Sequence, residues 1–409
     1  MTSTVHAAPV VLTMTGPPVV GGAVLVEGDR VVAVGPRAQV LAQASGARVR
    51  DWPGVMTPGL VNAHAHLEYG PPFADLATAG LPFPQWIAEL TGRRRTMTDV
   101  DWQVSARGSA HQLLRCGTTA VADVVTRGPA ITVAASLGLQ GISYVELAGV
   151  DAKSWPDALE RLEALLGAAG RARGVSPHTV YTLSNQVFRD LAELARARGL
   201  RLHPHLAETS DEAEWVLSGT GAFASFVERF GLDFELAGIG TGASAVQHCD
   251  ELGGLGPDVH VAHGVHVDAT DRALLRDRRT VVALCTRSNA ALQVGEAPVA
   301  DYLAEGNPLA LGTDSLASTP DLDLLAEARA TRDLARRQGV ERPEEALVRA
   351  LTLGGAQALG QPLGTLAVGG RADLAVFDVP TDDPHRDLVE HGAGRCVATV
   401  LGGRIVHRR

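Results

Sequence analysis

Residues 55–68 read VMTPGLVNAHAHLE, and the fold turns on this stretch. Val55–His66 is an apolar run that stops at two histidines one residue apart. Side chains at i and i+2 of a strand share a face, so His64 and His66 can reach one ion together. Working outward, seven more short β-branched runs follow: Thr118–Val124, Ile142–Ala148, His178–Ser184, Arg201–Glu208, Val259–His266, Thr280–Ser288 and Leu309–Asp314. Helical spacing fills the gaps, as in Asp157–Ala169, Phe188–Arg198 and Asp271–Arg279. Eight strand–helix units over about 300 residues predict an α/β fold, a (β/α)8 TIM-like barrel. A doubly wound open sheet is the alternative, but GGAVLVEG at 21–28 is not a phosphate loop between a strand and a helix.

The two ends of the chain read differently. Val10–Met14, Ala23–Glu27 and Arg30–Val34 are short apolar runs, the last two joined at Gly28-Asp29, which suits a tight hairpin. Near the other end, Asp373–Val379 and Val397–Val406 are strand-like, the latter folded at Gly402-Gly403. Neither zone can build a core alone, so the expected organisation is one small β-sandwich from residues 1–54 and 360–409. The barrel is expected over 55–359.

Composition narrows the partners. With 36 basic and 46 acidic side chains the formal charge is −10, and no basic stripe is present to track a phosphate backbone, so nucleic acid is not expected. The four cysteines, Cys116, Cys249, Cys285 and Cys396, form no CxxC pair, which argues against a disulfide scaffold or thiolate zinc site. No run reaches the ~18 apolar residues of a membrane span, and no leader pattern opens the chain. The expected setting is cytoplasmic, with a small-molecule substrate and no membrane.

Polar residues recur at the carboxyl ends of four runs: NAHAH at 62–66, HPHLAE at 203–208, VAHGVH at 261–266 and LGTDS at 311–315. Any one histidine there is explained by packing. Burying the whole set without an ion is costly, whereas one shared cation satisfies it. Three neutral imidazoles and a carboxylate suit a single divalent ion, Zn2+ first and Fe2+ or Mn2+ next.

PGLVNAHAHLE, HPHLAET, VAHGVHVD, CTRSNAAL with LALGTDSLAS, and GTLAVGGRADLAVFD together resemble the amidohydrolase superfamily. The similarity is greatest to its branch of nucleoside deaminases and chlorohydrolases, and it spans nearly the whole chain. Thr286 stands where that family often has proline. The resemblance implies His64, His66, His205 and Asp314 as metal ligands, and Glu208 as proton shuttle. It also implies that His263 lies beside the attacking water and that Asp314 takes a proton. It implies a nucleoside contact for His178, which could equally be an ordinary hydrogen-bonded strand residue; Asn289 is a further candidate contact. His203 and His266 are expected to support the site rather than form it. His6, His111, His248, His385, His391 and His407 match nothing. A homodimer is implied by analogy alone.

The binuclear members use a strand-4 lysine that HTVYTLS lacks, although Glu146 on strand 3 could bridge two ions; one ion is expected. Leu81–Ile87 (LPFPQWI) could form a pocket wall or lid, with Trp86 on the substrate. Its Pro-Phe-x-x-Trp-Ile pattern resembles the aminodeoxyfutalosine deaminases of menaquinone biosynthesis. The expected activity is therefore hydrolytic deamination of an aminopurine nucleoside, first 6-amino-6-deoxyfutalosine to futalosine. Adenosylhomocysteine or methylthioadenosine is the nearest alternative, although the strand-3 exit GVDAKSW supplies no arginine for the carboxylate of the former. Guanine, triazine or cyclic-amide substrates come after.

Overall fold

A computed structural model describes residues 3–78, 80–168 and 170–409. Its centre is a ring of eight parallel strand positions. Five run in the order Arg201–Leu202, Ala172–Pro177, Gln140–Leu147, Thr118–Val125, Leu60–Ala65, and four in the order His205–Leu206, His260–His263, Val281–Leu284, Leu309–Leu311. The two sets share the segment 201–206, where Pro204 breaks the ladder and offers its carbonyl to the Ala262 amide at 3.0 Å. On the other side the Asp314 amide donates to the His64 carbonyl at 3.0 Å and closes the ring. Every residue of Thr118–Val125 is buried, as expected of a strand covered on both faces. Helices cover the outside. Asn185–Ala197 shows how: the Ser184 hydroxyl caps its start, and Val187, Phe188, Leu191, Ala192 and Ala195 form the buried stripe. None of the described helices is long and apolar enough to cross a membrane.

Both chain ends enter one eight-stranded sheet. Its order is Arg404–Arg408, Cys396–Leu401, Leu374–Phe377, Val55–Pro58, Ser3–Val11, Val19–Glu27, Arg30–Pro36, and Arg48–Asp51 also pairs with Ser3–Val11. The sheet curls until Arg30 bridges Arg371. Val24, Val26 and Val31 therefore face Val376, Ala398 and Val400 across a shared core.

Three expectations shift. Val55–His66 is two strands, not one: Val55–Pro58 pairs with Ser3–Val11 and Leu374–Phe377, so the chain leaves the terminal sheet after Pro58 rather than at Gly54. The fourth barrel strand is Ala172–Pro177, and His178–Ser184 is the turn that follows it. The helix read over Asp157–Ala169 spans Trp155–Leu166, and Ala169 lies outside the described residues.

His6 reports on the small domain. The Trp52 indole N–H donates to His6 Nδ1 at 3.0 Å, which requires a neutral ring. Burial, aided by the charge of Arg50, lowers its pKa to about 4. The unfolded chain protonates near 6.5, so this contribution is whole above pH 6.5 and is lost as pH falls toward 4. At the bottom of that window it amounts to roughly 3 kcal/mol. Denaturant unfolding of His6→Gln should show a correspondingly flatter pH dependence between 6.5 and 4; identical slopes would refute this.

Candidate metal centre and active site

The polar residues at the strand ends converge. His66 Nε2 and His205 Nε2 are 3.1 Å apart, while Asp314 Oδ1 lies 3.6 Å from His64 Nε2 and 3.8 Å from His66 Nε2. Four ligands at zinc-bonding distances sit roughly 3.3 Å from one another around a tetrahedron, and these spacings bracket that value. His64 Nε2 is buried with no hydrogen-bond partner. A cation supplies what that lone pair lacks, so this donor set fits a divalent ion.

The rings are oriented from behind. His203 Nδ1 faces the carbonyl oxygen of His260 at 2.9 Å, so Nδ1 must carry the proton. Burial, with His260 and His64 nearby, keeps His203 well below the usual histidine range and hence neutral. Its bare Nε2 therefore accepts from His64 Nδ1 at 2.8 Å, and His64 is left with its Nε2 lone pair turned to the cluster. Gly312 makes room for this arrangement, since a Cβ there would lie 2.5 Å from His64 Cβ. Supports of this kind are typically worth 10–100-fold in metal affinity. Competition with a chelator should accordingly find His203→Phe about 10- to 100-fold weaker for zinc, and equal affinity would remove His203 from the site.

Asp314 is fixed from the other side. Its Oδ2 accepts from the hydroxyls of Ser288 and Ser318, both at 2.7 Å. Burial alone would raise its pKa, but the ring of His64, with those of His66 and His263, holds it far below the ordinary carboxylate range.

Glu208 and His263 complete the mouth. Glu208 Oε1 is 3.7 Å from His263 Nε2, and His263 Nδ1 pairs with Asn289 Oδ1 at 2.9 Å. Burial raises the Glu208 pKa against the opposing pull of His263, so this carboxyl holds a proton longer than an exposed one would. Its backbone is gripped by Glu212, whose carboxylate accepts the amides of Ala207 at 3.0 Å and Glu208 at 2.8 Å. Similar buried carboxylates brace other rim turns. Asp123 accepts from the Leu67 amide, Glu68 from Thr126 and Arg127, and Glu327 from Arg287. None of these four was singled out by motif. Only Glu212 carried a signal, Thr-x-x-Glu at a helix start.

The backbone is unusual at this rim. Ala207, His263 and Asp314 all have positive φ, at 53°, 74° and 59°, the left-handed region that non-glycine residues seldom occupy.

The remaining candidates divide. His178, just past its strand, turns its ring toward His205 with centroids 4.8 Å apart and holds Thr182 Oγ1 at 2.9 Å. Asn289 reaches His263. Arg287 instead makes a two-point ion pair with Asp321. His266 binds the Val294 carbonyl. Trp86 lies on the helix Phe83–Arg94, stacks on Phe83, and donates its indole N–H to the Ala317 carbonyl at 2.9 Å. Segment 81–87 is thus fastened across the rim, three residues beyond Asp314.

The chain is similar to known proteins in sequence and in fold. The chain is 33% identical over 426 residues to a 5-methylthioadenosine/S-adenosylhomocysteine deaminase of Natronomonas pharaonis, with 97% of this chain and 92% of that protein covered. In fold it is similar to the Helicobacter pylori aminofutalosine deaminase, with a TM-score of 0.84, 17% identity, and 99% and 100% of the two chains covered. It is likewise similar to a zinc-bound adenosine deaminase from Xanthomonas campestris, with a TM-score of 0.80, 21% identity, and coverage of 100% and 93%. The family model described as "Amidohydrolase family" matches residues 55–406, and the chain therefore belongs to the amidohydrolase family.

Proposed function

We propose that this chain is a metal-dependent hydrolase of C–N bonds that deaminates an adenosine-like nucleoside. The observation that carries this reading is Glu208, buried and 3.7 Å from His263 beside the cluster of His64, His66, His205 and Asp314. His64, His66, His205 and Asp314 would hold the ion. When bound, a divalent ion supplies Lewis acidity that makes water nucleophilic near neutral pH.

The chain does the rest. Water adds at the carbon bearing the amino group, and His263, oriented by Asn289, positions it. Asp314 Oδ1, the oxygen not engaged by Ser288 and Ser318, receives the water's proton. Glu208 protonates the adjacent ring nitrogen, recovers a proton from the added hydroxyl as the carbonyl forms, and passes it to the leaving nitrogen as the C–N bond breaks; the proton on Asp314 then restores Glu208. The products are the oxo-purine and ammonia.

Within that class the favoured substrate is 6-amino-6-deoxyfutalosine, supported by the PFPQWI segment and its placement on the rim. A second reading, methylthioadenosine or adenosylhomocysteine, is favoured by the named activity of the Natronomonas relative. Against an amino-acid carboxylate on the substrate, the strand-3 exit at 149–155 carries no arginine, and its one lysine, Lys153, is paired with Asp233 at 3.1 Å. Ammonia release from zinc-loaded protein should be greatest for 6-amino-6-deoxyfutalosine in a panel with methylthioadenosine, adenosylhomocysteine, adenosine and guanine. Release from none of the adenine nucleosides would sink the reading.

A further inference from the structure

Glu146 is the buried carboxylate at this rim that the deamination roles leave unused. It stands near the carboxyl end of Gln140–Leu147, its side chain 4% exposed. Its Oε1 has no hydrogen-bond partner. The His178 Nε2 atom is 3.9 Å from that oxygen, too far for a direct hydrogen bond. A buried acceptor left without a donor is costly and calls for a partner.

The surroundings limit what the partner can be. A carboxylate oxygen of Glu146 lies within 4.8 Å of ring nitrogens of His66 and His205, so it borders the same mouth as the cluster. It lies on the strand-3 side, whereas Glu208 and His263 occupy strands 5 and 6. A substrate whose reacting ring meets Glu208 must extend its remaining part elsewhere around the rim. A second metal ion is a poor occupant: among the described residues, the metal-type grouping that includes Glu146 adds only His66 and His205, both already in the first cluster. A hydroxyl fits well. One oxygen at ordinary hydrogen-bond distance from both atoms spans a 3.9 Å gap, donating to Glu146 and meeting His178.

We propose that Glu146, with His178, is the subsite for a sugar hydroxyl and makes the enzyme select ribonucleosides. This rests on the nucleoside-deaminase reading above. The test is kcat/KM for ammonia release by zinc-loaded protein on adenosine, 2′-deoxyadenosine and 3′-deoxyadenosine, for the natural chain and for Glu146→Gln. The natural chain should lose roughly 10- to 100-fold on removal of one of the two hydroxyls, the range for leaving a buried polar group without its partner. Glu146→Gln should lose a similar factor on adenosine and little more on that deoxynucleoside, at unchanged zinc content.

Three results would overturn the proposal. One is equal use of all three nucleosides by the natural chain, which decides the matter even if the variant misfolds. Another is a uniform loss across them in Glu146→Gln, the mark of a structural role. The last is a fall in bound zinc in that variant, which would make Glu146 a ligand. Each leaves deamination standing, whereas no ammonia from any nucleoside would overturn both readings together.

Discussion

Glu208→Gln is expected to lower kcat by 10²- to 10⁴-fold with bound zinc unchanged. The amide keeps the shape of the side chain and cannot pass a proton, and a positioned general acid–base group contributes about this factor. The placement supports a proton-carrying role. The carboxyl is buried, its pKa is raised by that burial, and its backbone is anchored by two hydrogen bonds to Glu212. The measurement is steady-state ammonia release together with zinc analysis of the same sample. An unchanged kcat would remove Glu208 from the chemistry. A matching loss of zinc would mean that the residue supports the ion instead.

Asp314→Ala should cost more. It removes one of four ligands, the acceptor of two serine hydroxyls, and the assigned proton acceptor at one stroke. The Lewis acidity of a bound ion is worth several kcal/mol of transition-state stabilisation, on the order of 10³-fold or more in rate. The expected result is protein that loses zinc on dialysis against a chelator, with activity lower by at least that factor. Retention of a full equivalent of zinc under the conditions that the natural chain survives would show that the three histidines suffice. Comparing Asp314→Asn separates the roles, since the amide keeps the shape and its one oxygen can either ligate or accept from Ser288 and Ser318, but it is not a base.

Much of this architecture was legible because chemistry-bearing residues sit at strand ends, and the strands are buried enough to read as apolar runs. The misread fourth strand is instructive. HTVYTLS at 178–184 has the β-branched and aromatic content of a strand, yet it is a turn whose Val180, Tyr181 and Leu183 are buried by tertiary packing. The true strand, ARGVSP, carries an arginine, a glycine and a proline, so propensity ranked the two backwards. The break in Val55–His66 was hidden for another reason. Gly59 looks like a neutral spacer, but its amide donates to the Asp373 carbonyl, and a Cβ there would lie 2.0 Å from Thr119 Oγ1. Only the fold reveals either constraint. The carboxylates behind the rim were unreadable because a single acidic residue in a helix or strand usually faces water. Burial is what pushes Asp123, Glu212 and Glu327 up to about 7.

The left-handed backbone at residues 207, 263 and 314 has an evolutionary consequence. Each such conformation costs a non-glycine residue of order 1–2 kcal/mol, a cost that glycine escapes. On backbone strain alone all three positions therefore favour glycine. Ala207→Gly keeps catalysis intact, because the residue contributes only backbone groups, its amide to Glu212 and its carbonyl to the amides of Val265 and His266. At 263 and 314 the same change would relieve the strain but leave Asn289, Ser288 and Ser318 without their partners and the protein inert. Lineages of this barrel under thermal pressure should therefore be identifiable by glycine at the first position alone.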